Sequence, residues 1–352
     1  MNRNKQNKKI LLLPLLFLTL AAGCGSPKAS TGQQTTSEEL QTEADSSAAG
    51  VSSAQPDGKI TVGVTLASDK APYQSELGKV LEDTAESENV DLIMEYAGWS
   101  EENQNRQMED FIVQGVDAII AAPVHSKALL NSLRKARQAG IPVIDLNMKV
   151  DSASSRYIST YVGSSSEEEG TLMAELAARL LPKGGNIAIL EGAPGSDPQI
   201  YRTRYFMDRI KDFDNMNVID IRNGRWNRNT ARNLAVQILD TTPNLDMIYC
   251  HDTTMALGAA EAVKEQGRED DVLVIGIGAV DGESAEAVKD KTLAGMVSQS
   301  SRFEGTAAVL AARRAAEGDT LRPWIMNPSE ILTEKDIDEY TEPDPRGITV
   351  TK

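Results

Sequence analysis

Cysteine and histidine are scarce, with two of each in 352 residues. A structural zinc site needs four such ligands, usually in short paired spacings, and no such set is present. Two cysteines cannot staple a disulfide-built scaffold. Basic excess is missing too: 36 Lys+Arg stand against 52 Asp+Glu, a net charge of −16. A phosphate backbone is repelled by such a chain, which argues against a nucleic-acid partner. The apolar stretch at residues 10–22 is too short for a membrane-crossing helix, which needs about 20 residues. Enzyme signatures are equally thin. There is no G-x-x-x-x-G-K-[ST] phosphate loop and no G-x-S-x-G elbow. Gly276-Ile-Gly278-Ala-Val-Asp281-Gly282 follows a strand-like run, but Asp281 replaces the third glycine of a dinucleotide loop. Neither His125 nor His251 stands beside a plausible nucleophile. The expectation is a protein without catalytic activity, cofactor or metal.

What is present is an ordinary globular balance, 40% apolar and 25% charged, in a chain long enough for two domains. The N-terminus carries Arg3, Lys5, Lys8 and Lys9, then the apolar stretch, then Leu20-Ala-Ala-Gly-Cys24. Basic, apolar and small residues in that order read as a secretory signal. The last five resemble the bacterial lipoprotein box, with Ala21 where the box more often has Leu. That resemblance implies removal of residues 1–23 and a lipid on Cys24. A diacylglyceryl group, with palmitate-type chains, would hold the protein stably at the outer face of the cell membrane. The bland alternative is an ordinary cleavable signal followed by an accidental cysteine. Residues 24–57 are rich in Ser, Thr, Gln, Ala and Glu. They offer too little apolar surface to offset ordering entropy and read as a tether.

From Lys59 onward, short apolar runs alternate with helix-period segments. Strands are expected at 60–66, 92–96, 118–121, 142–146, 186–190, 218–221, 247–250, 272–277 and 294–297. Helices are expected at 75–87, 103–114, 126–139, 168–180, 202–211, 229–239, 254–266 and 283–289. This alternation predicts an α/β fold with parallel sheets flanked by helices, and two sheets suit the length better than one. Aromatic and hydrogen-bonding residues collect where the strand runs end. They are Tyr73 and Gln74, Trp99, Pro123 and His125, Asn147 and Met148, Asp197 and Arg202, Trp226, Asp252, and Gln299. Ligands of open parallel sheets bind beyond the carboxyl ends of the strands, so this is the layout of a binding cleft.

An ordered set of segments carries a family resemblance. It comprises Ile60-Thr-Val-Gly-Val-Thr-Leu66, Pro72-Tyr73, Gln107-Met-Glu-Asp-Phe-Ile-Val-Gln-Gly-Val-Asp-Ala-Ile-Ile120 with Pro123, and Ala139-Gly-Ile-Pro-Val-Ile144. Tyr249-Cys-His-Asp-Thr-Thr-Met-Ala-Leu-Gly258 and the run ending in Gln299 complete it. Over about residues 58–340 the chain resembles periplasmic sugar-binding proteins of the ribose-binding, type I, two-lobed kind. The resemblance implies two doubly wound parallel-sheet lobes joined by three crossovers, near 164–166, 299–301 and 324–328. Residues 58–164 plus 299–326 would form the first lobe, and 165–298 plus 327–352 the second.

The resemblance also implies a site between the lobes. Sugar rings pack on aromatic faces, and hydroxyls meet Asp, Asn, Gln and Arg. Tyr73 falls at an aromatic wall and Gln74 replaces a second aromatic. Asn147 falls where the family has a hydroxyl-binding Asp, and Met148 where many members have Arg. Arg202 matches the second-lobe Arg, Trp226 the aromatic lid, Asp252 an Asn position and Gln299 the hinge-side Gln. Trp99 and Asp281 are secondary candidates. Gly278 stands where the family has Asp, and Asp281 lies three residues on. Met148 and Gly278 argue against ribose and for another monosaccharide, a polyol or a cyclitol.

Each residue has a bland alternative. Tyr73 could pack on Leu77, and Asn147 could be a turn residue. Arg202 could pair with Asp208 or Glu191 on the surface, and Trp226 could anchor its loop. Asp252 could cap the following helix. Cys250 reads as a buried thiol, and the two histidines as loop or rim residues. The function implied is an exported, monomeric receptor that delivers its sugar to an ABC permease. A receptor signalling to a membrane kinase or chemoreceptor shares the same binding chemistry.

Overall fold

Strands form where β-branched and aliphatic residues are buried on both faces of a sheet. In the computed structural model, which describes residues 58–347, the first half runs β1 (Ile60–Leu66), α1 (Pro72–Glu88), β2 (Val90–Tyr96), α2 (Glu101–Gln114) and β3 (Ala118–Ala121). It continues with α3 (Leu130–Gln138), β4 (Val143–Leu146) and β5 (Thr160–Gly163). Side chains alternate between two apolar layers, as the period of a strand requires. Val62, Val64, Leu66 and Ile120 join Leu77, Leu81 and Phe303 on one face. Ile119 and Val143 join Met108, Phe111 and Leu133 on the other. Gly63 lets α2 approach closely, since a Cβ there would lie 2.5 Å from Phe111 Cγ.

The second half repeats the pattern. It runs α4 (Ser166–Leu180), β6 (Gly185–Glu191), α5 (Asp197–Arg209), β7 (Met216–Asn223), α6 (Arg228–Thr241) and β8 (Met247–Cys250). Then come α7 (Thr253–Glu265), β9 (Leu273–Gly278), α8 (Gly282–Lys289), β10 (Gly295–Ser298), α9 (Ser301–Ala316), β11 (Trp324–Met326) and β12 (Ile331–Leu332). Ile187 and Ile189 face one layer, Ala188 and Leu190 the other.

Two six-stranded sheets result, in orders β11-β5-β4-β3-β1-β2 and β12-β10-β9-β8-β6-β7. All pairings are parallel except that of β12 with β10. Both sheets thus have the 2-1-3-4-5 doubly wound order, each with helices on both faces. The chain passes from one to the other after β5, after β10 and after β11, which gives the three crossovers. The first and second crossovers carry Ser164–Ser165 and Gln299–Ser300, and Ser165 and Ser300 cap α4 and α9.

Three strands lie outside the runs expected from sequence: β5, β11 and β12. β11 and β12 have three and two residues, too short for any periodicity to show. α9 lies outside the expected helices, because ten of its sixteen residues are buried and its apolar positions do not form a single stripe. The expected second-lobe range 327–352 also needs correction. β12 pairs in the second sheet, and Ile337 and Tyr340 pack into that lobe's core. Glu342 then hydrogen-bonds the Ser300 hydroxyl and pairs with Arg302, and Pro345–Gly347 lies against α9 of the first lobe. Polar groups at the start of α9 draw the chain back. The expected signal (1–23), lipidated Cys24 and tether (24–57) lie outside the described residues, as do residues 348–352.

Candidate functional site

The site is built from the loops that follow strand ends. Tyr73 and Gln74 sit in the first turn of α1, Trp99 follows β2, and Asn147 and Met148 follow β4. From the second lobe, Arg202 projects from α5, Trp226 lies between β7 and α6, Asp252 caps α7 and Asp281 caps α8. Gln299 opens the second crossover, directly after β10. All ten line a single cavity of about 1110 Å³ between the lobes. They come together because both sheets present their carboxyl ends to the same space.

Three of the ten hold a left-handed backbone: Trp99 at φ 60°, Asn147 at 62° and Trp226 at 58°. Asn tolerates this conformation, whereas tryptophan rarely adopts it, so the two tryptophan loops are strained. The neighbours hold them there. Trp99 N donates to Ala67 O at 2.8 Å, and its indole packs on Met148, Ala67 and Val124 and on the second lobe's core. The Trp226 indole lies on Gly192, where a Cβ would come within 1.7 Å of Cζ2. Trp226 Nε1 is buried without a protein partner. Trp226 is therefore both a cavity wall and packed against its own lobe.

A polar network crosses the base of the cavity. The Ala67 amide donates to Gln74 Oε1 at 3.3 Å, Gln74 Nε2 to Asn147 Oδ1 at 2.8 Å, and Asn147 Nδ2 to Glu304 Oε2 at 2.8 Å. Tyr73 OH donates to the same Glu304 oxygen at 2.9 Å. From the other lobe, Arg202 Nη2 donates to Gln299 Oε1 at 3.2 Å, and Gln299 Nε2 to Glu304 Oε1 at 3.3 Å. Asn327 Nδ2 reaches that oxygen at 3.0 Å. Arg202 Nε pairs with Glu169 Oε2 at 2.8 Å, and both are buried.

Electrostatics follow from this burial. Burial pushes the Glu304 carboxyl up to about 7, against the donors Asn327, Tyr73 and Asn147. Asp252 rises to about 6 because burial outweighs the Met255 N–H and Arg202. Burial works against the Arg202 charge, but the adjacent Glu169 carboxylate holds its pKa above the usual value. Burial and then Arg202 push His251 well below its ordinary value, so it is neutral.

Several sequence alternatives are settled here. Arg202 is buried with Glu169, and neither Asp208 nor Glu191 is its partner. Asp252 does cap α7, its Oδ1 accepting from Met255 N at 2.7 Å, and it also lines the cavity. Asp281 caps α8 at the exposed mouth. His251 lies in the loop between β8 and α7, as one of its two readings had it, but is fully buried and so is not at the rim. Its ring is held by the Gly192 amide and Thr203. Cys250 is a buried free thiol. Among the described residues, no group of three His, Cys, Asp or Glu could hold a metal ion.

Glu304, Glu169 and Asn327 were not expected from sequence. Glu304 had one available signal, as the one acid in the otherwise small and apolar stretch 303–312. Glu169 had less, since it follows two further glutamates and only the helix phase turns it inward.

The lobes are in contact across the cleft. Ser126 N donates to Gly195 O at 3.1 Å, and the His125 ring abuts Gly195.

Two parallel-sheet lobes, three crossovers and a cavity of mixed polar and apolar lining between them define a two-lobed solute-binding protein of the type I architecture. The chain belongs to the periplasmic binding protein domain family, whose model matches residues 62–320. It is 29% identical over 279 residues to the ribose import binding protein of Bacillus subtilis, covering 79% of this chain and 88% of that one. An ABC transporter solute binding protein from Bacillus halodurans, solved with bound myo-inositol, superposes with a TM-score of 0.76. It is 29% identical, with 80% of this chain and 97% of that one covered. One from Actinobacillus succinogenes with bound D-allose gives 0.75 at 27% identity, covering 80% and 100%.

Proposed function

We propose that this chain is an extracytoplasmic receptor that binds one monosaccharide, polyol or cyclitol between its lobes and passes it to an ABC permease. In this reading it acts as a monomer without catalysis, held at the outer face of the membrane by lipid on Cys24. The contacts are Tyr73, Gln74, Asn147, Met148, Arg202, Trp226, Asp252 and Gln299, with Trp99 and Asp281 as further contacts. The observation that carries this reading is the shared cavity, supplied by both lobes with indole and methionine surface beside amide, carboxyl and guanidinium groups. Ring C–H faces match the first set and hydroxyls the second. Such a ligand touches both lobes only when they are together. It therefore favours the closed arrangement by its differential affinity, and hinge bending at the crossovers is the expected motion. The relatives with bound myo-inositol and D-allose support a hydroxyl-rich ligand.

The test is a titration with myo-inositol, D-allose, D-ribose, xylitol and related compounds, following tryptophan fluorescence and melting temperature. Saturable binding by at least one is expected, and Trp226→Ala should weaken it at least tenfold. No response across the panel would contradict the reading.

A further inference from the structure

The amides that line the cavity can be traced to two groups that can only donate. At one end, the Ala67 backbone N–H faces Gln74, so Gln74 must turn its carbonyl oxygen there. Its NH₂ then faces Asn147, which must accept with Oδ1 and present its own NH₂ to Glu304. At the other end, Arg202 can only donate, so Gln299 accepts with Oε1 and presents its NH₂ to Glu304. Both chains arrive at Glu304 as donors, joined by Tyr73 OH and Asn327 Nδ2. Only a group that accepts on both oxygens satisfies all four.

We propose that Glu304 is a positioning residue that fixes the hydrogen-bond polarity of Gln74, Asn147 and Gln299 from behind the cavity, and so sets which donors and acceptors the ligand meets. Glu304 itself is fully buried and does not line the cavity. After the bonds above, each of the three amides keeps one N–H and one acceptor lone pair. Together they offer a matched donor and acceptor from each side chain, which is the complement of a hydroxyl. The proposal deepens the receptor reading and rests on it for the identity of the ligand.

Glu304→Gln keeps the shape and places one NH₂ in the network. If it faces Asn147, that amide must flip, then Gln74, whose NH₂ would meet the Ala67 N–H. If it faces Gln299, that amide must flip toward Arg202. Asn327 resists the change as well, because its Nδ2 also donates to Ser300 O at 3.1 Å and turning that amide would lose the bond. Either way one cavity amide loses its orientation.

The experiment measures binding of myo-inositol and D-allose by calorimetry, and the side-chain amide cross-peaks of Gln74, Asn147 and Gln299 by ¹H–¹⁵N NMR without ligand. Glu304→Gln is expected to weaken binding at least tenfold, to shift at least one of the three cross-peaks strongly, and to keep the melting temperature within a few degrees. Unchanged affinity with unshifted cross-peaks would overturn the proposal. A wild type that binds no member of the panel would count against the receptor reading, while the cross-peaks still decide the role of Glu304. A pH series on the wild type needs no variant. Protonating Glu304 adds a donor as Gln does, so the Asn147 and Gln299 cross-peaks should move together with a midpoint of about 7. Tyr73 of α1, Glu169 of α4, Arg202 of α5 and Tyr161 of β5 are the titratable or charged groups facing it. Cross-peaks that stay fixed while the Glu304 carboxyl itself titrates would also overturn it.

Discussion

One carboxyl group at Asp252 serves two ends. Its Oδ1 caps α7, and the residue also forms cavity wall. Burial lifts its pKa from 3.8 to about 6. A raised carboxyl pKa means the folded chain keeps its proton while the unfolded chain has lost it. The contribution of Asp252 to stability therefore falls as pH rises from about 4 to about 6 and is constant on either side. Asn caps helices about as well as Asp, so Asp252→Asn isolates the titration from the cap. Melting curves from pH 4 to pH 7 should show the wild type losing ground to the variant up to pH 6. Parallel curves throughout would contradict the burial argument. At this scale the sequence was informative where the side chain follows a strand end. Asn147, Trp226 and Gln299 stand out there because polar and aromatic groups beside an apolar run have few other uses. Glu304 and Glu169 were not legible in the same way. Whether a helix acid faces solvent or core depends on what packs over it, and that comes from α1, α5 and the crossovers, far away in sequence.

α9 connects packing to the site. It covers the first sheet through Phe303, Ala307, Ala308 and Ala311, and its first turn carries Glu304. Its start is set by Ser300, whose Oγ accepts from Phe303 N at 2.9 Å while its hydroxyl donates to Glu342. Removing such a cap costs about 1 kcal/mol. Ser300→Ala should therefore lower the melting temperature by roughly 3 °C for a domain of this size. It should also weaken ligand binding, because Glu304 sits one turn on. A melting temperature and affinity both unchanged would show that α9 is positioned without its cap. Strands such as β1, β3 and β8 were legible as continuous apolar runs because parallel strands are buried on both faces. β11 and β12 were not, because three- and two-residue strands are defined by the neighbour they pair with rather than by their own pattern. α9 was hidden for a related reason: its burial is nearly all-round.

The whole molecule is two sheets of one strand order facing each other, and the lobes touch across the cleft at Gly195. Gly195, at φ 82°, accepts from Ser126 N through its carbonyl and leaves room for the His125 ring. A Cβ at Gly195 would stand 2.1 Å from His125 Cδ2. Gly195→Ala should therefore oppose closure and weaken ligand binding about tenfold, with an unchanged circular-dichroism spectrum. His125→Ala in that background removes the obstructing ring and should recover most of the loss. Failure of the second substitution to recover affinity would place the defect in the Gly195 backbone rather than in the lobe contact. The two-sheet organisation and the three crossovers were legible from strand–helix alternation and the family resemblance. The return of Glu342 and Pro345 to α9 was not, since it depends on single polar contacts at the end of the chain.

The central claim is that a hydroxyl-rich molecule is held by side chains of both lobes at once. The most direct measurement is a crystal structure with whichever compound saturates the fluorescence titration. The account predicts that compound in the interlobe cavity, hydrogen-bonded to Asn147 from one lobe and to Arg202 or Asp252 from the other, with Trp226 against its ring. A ligand bound outside that cavity, or touching one lobe alone, would contradict it.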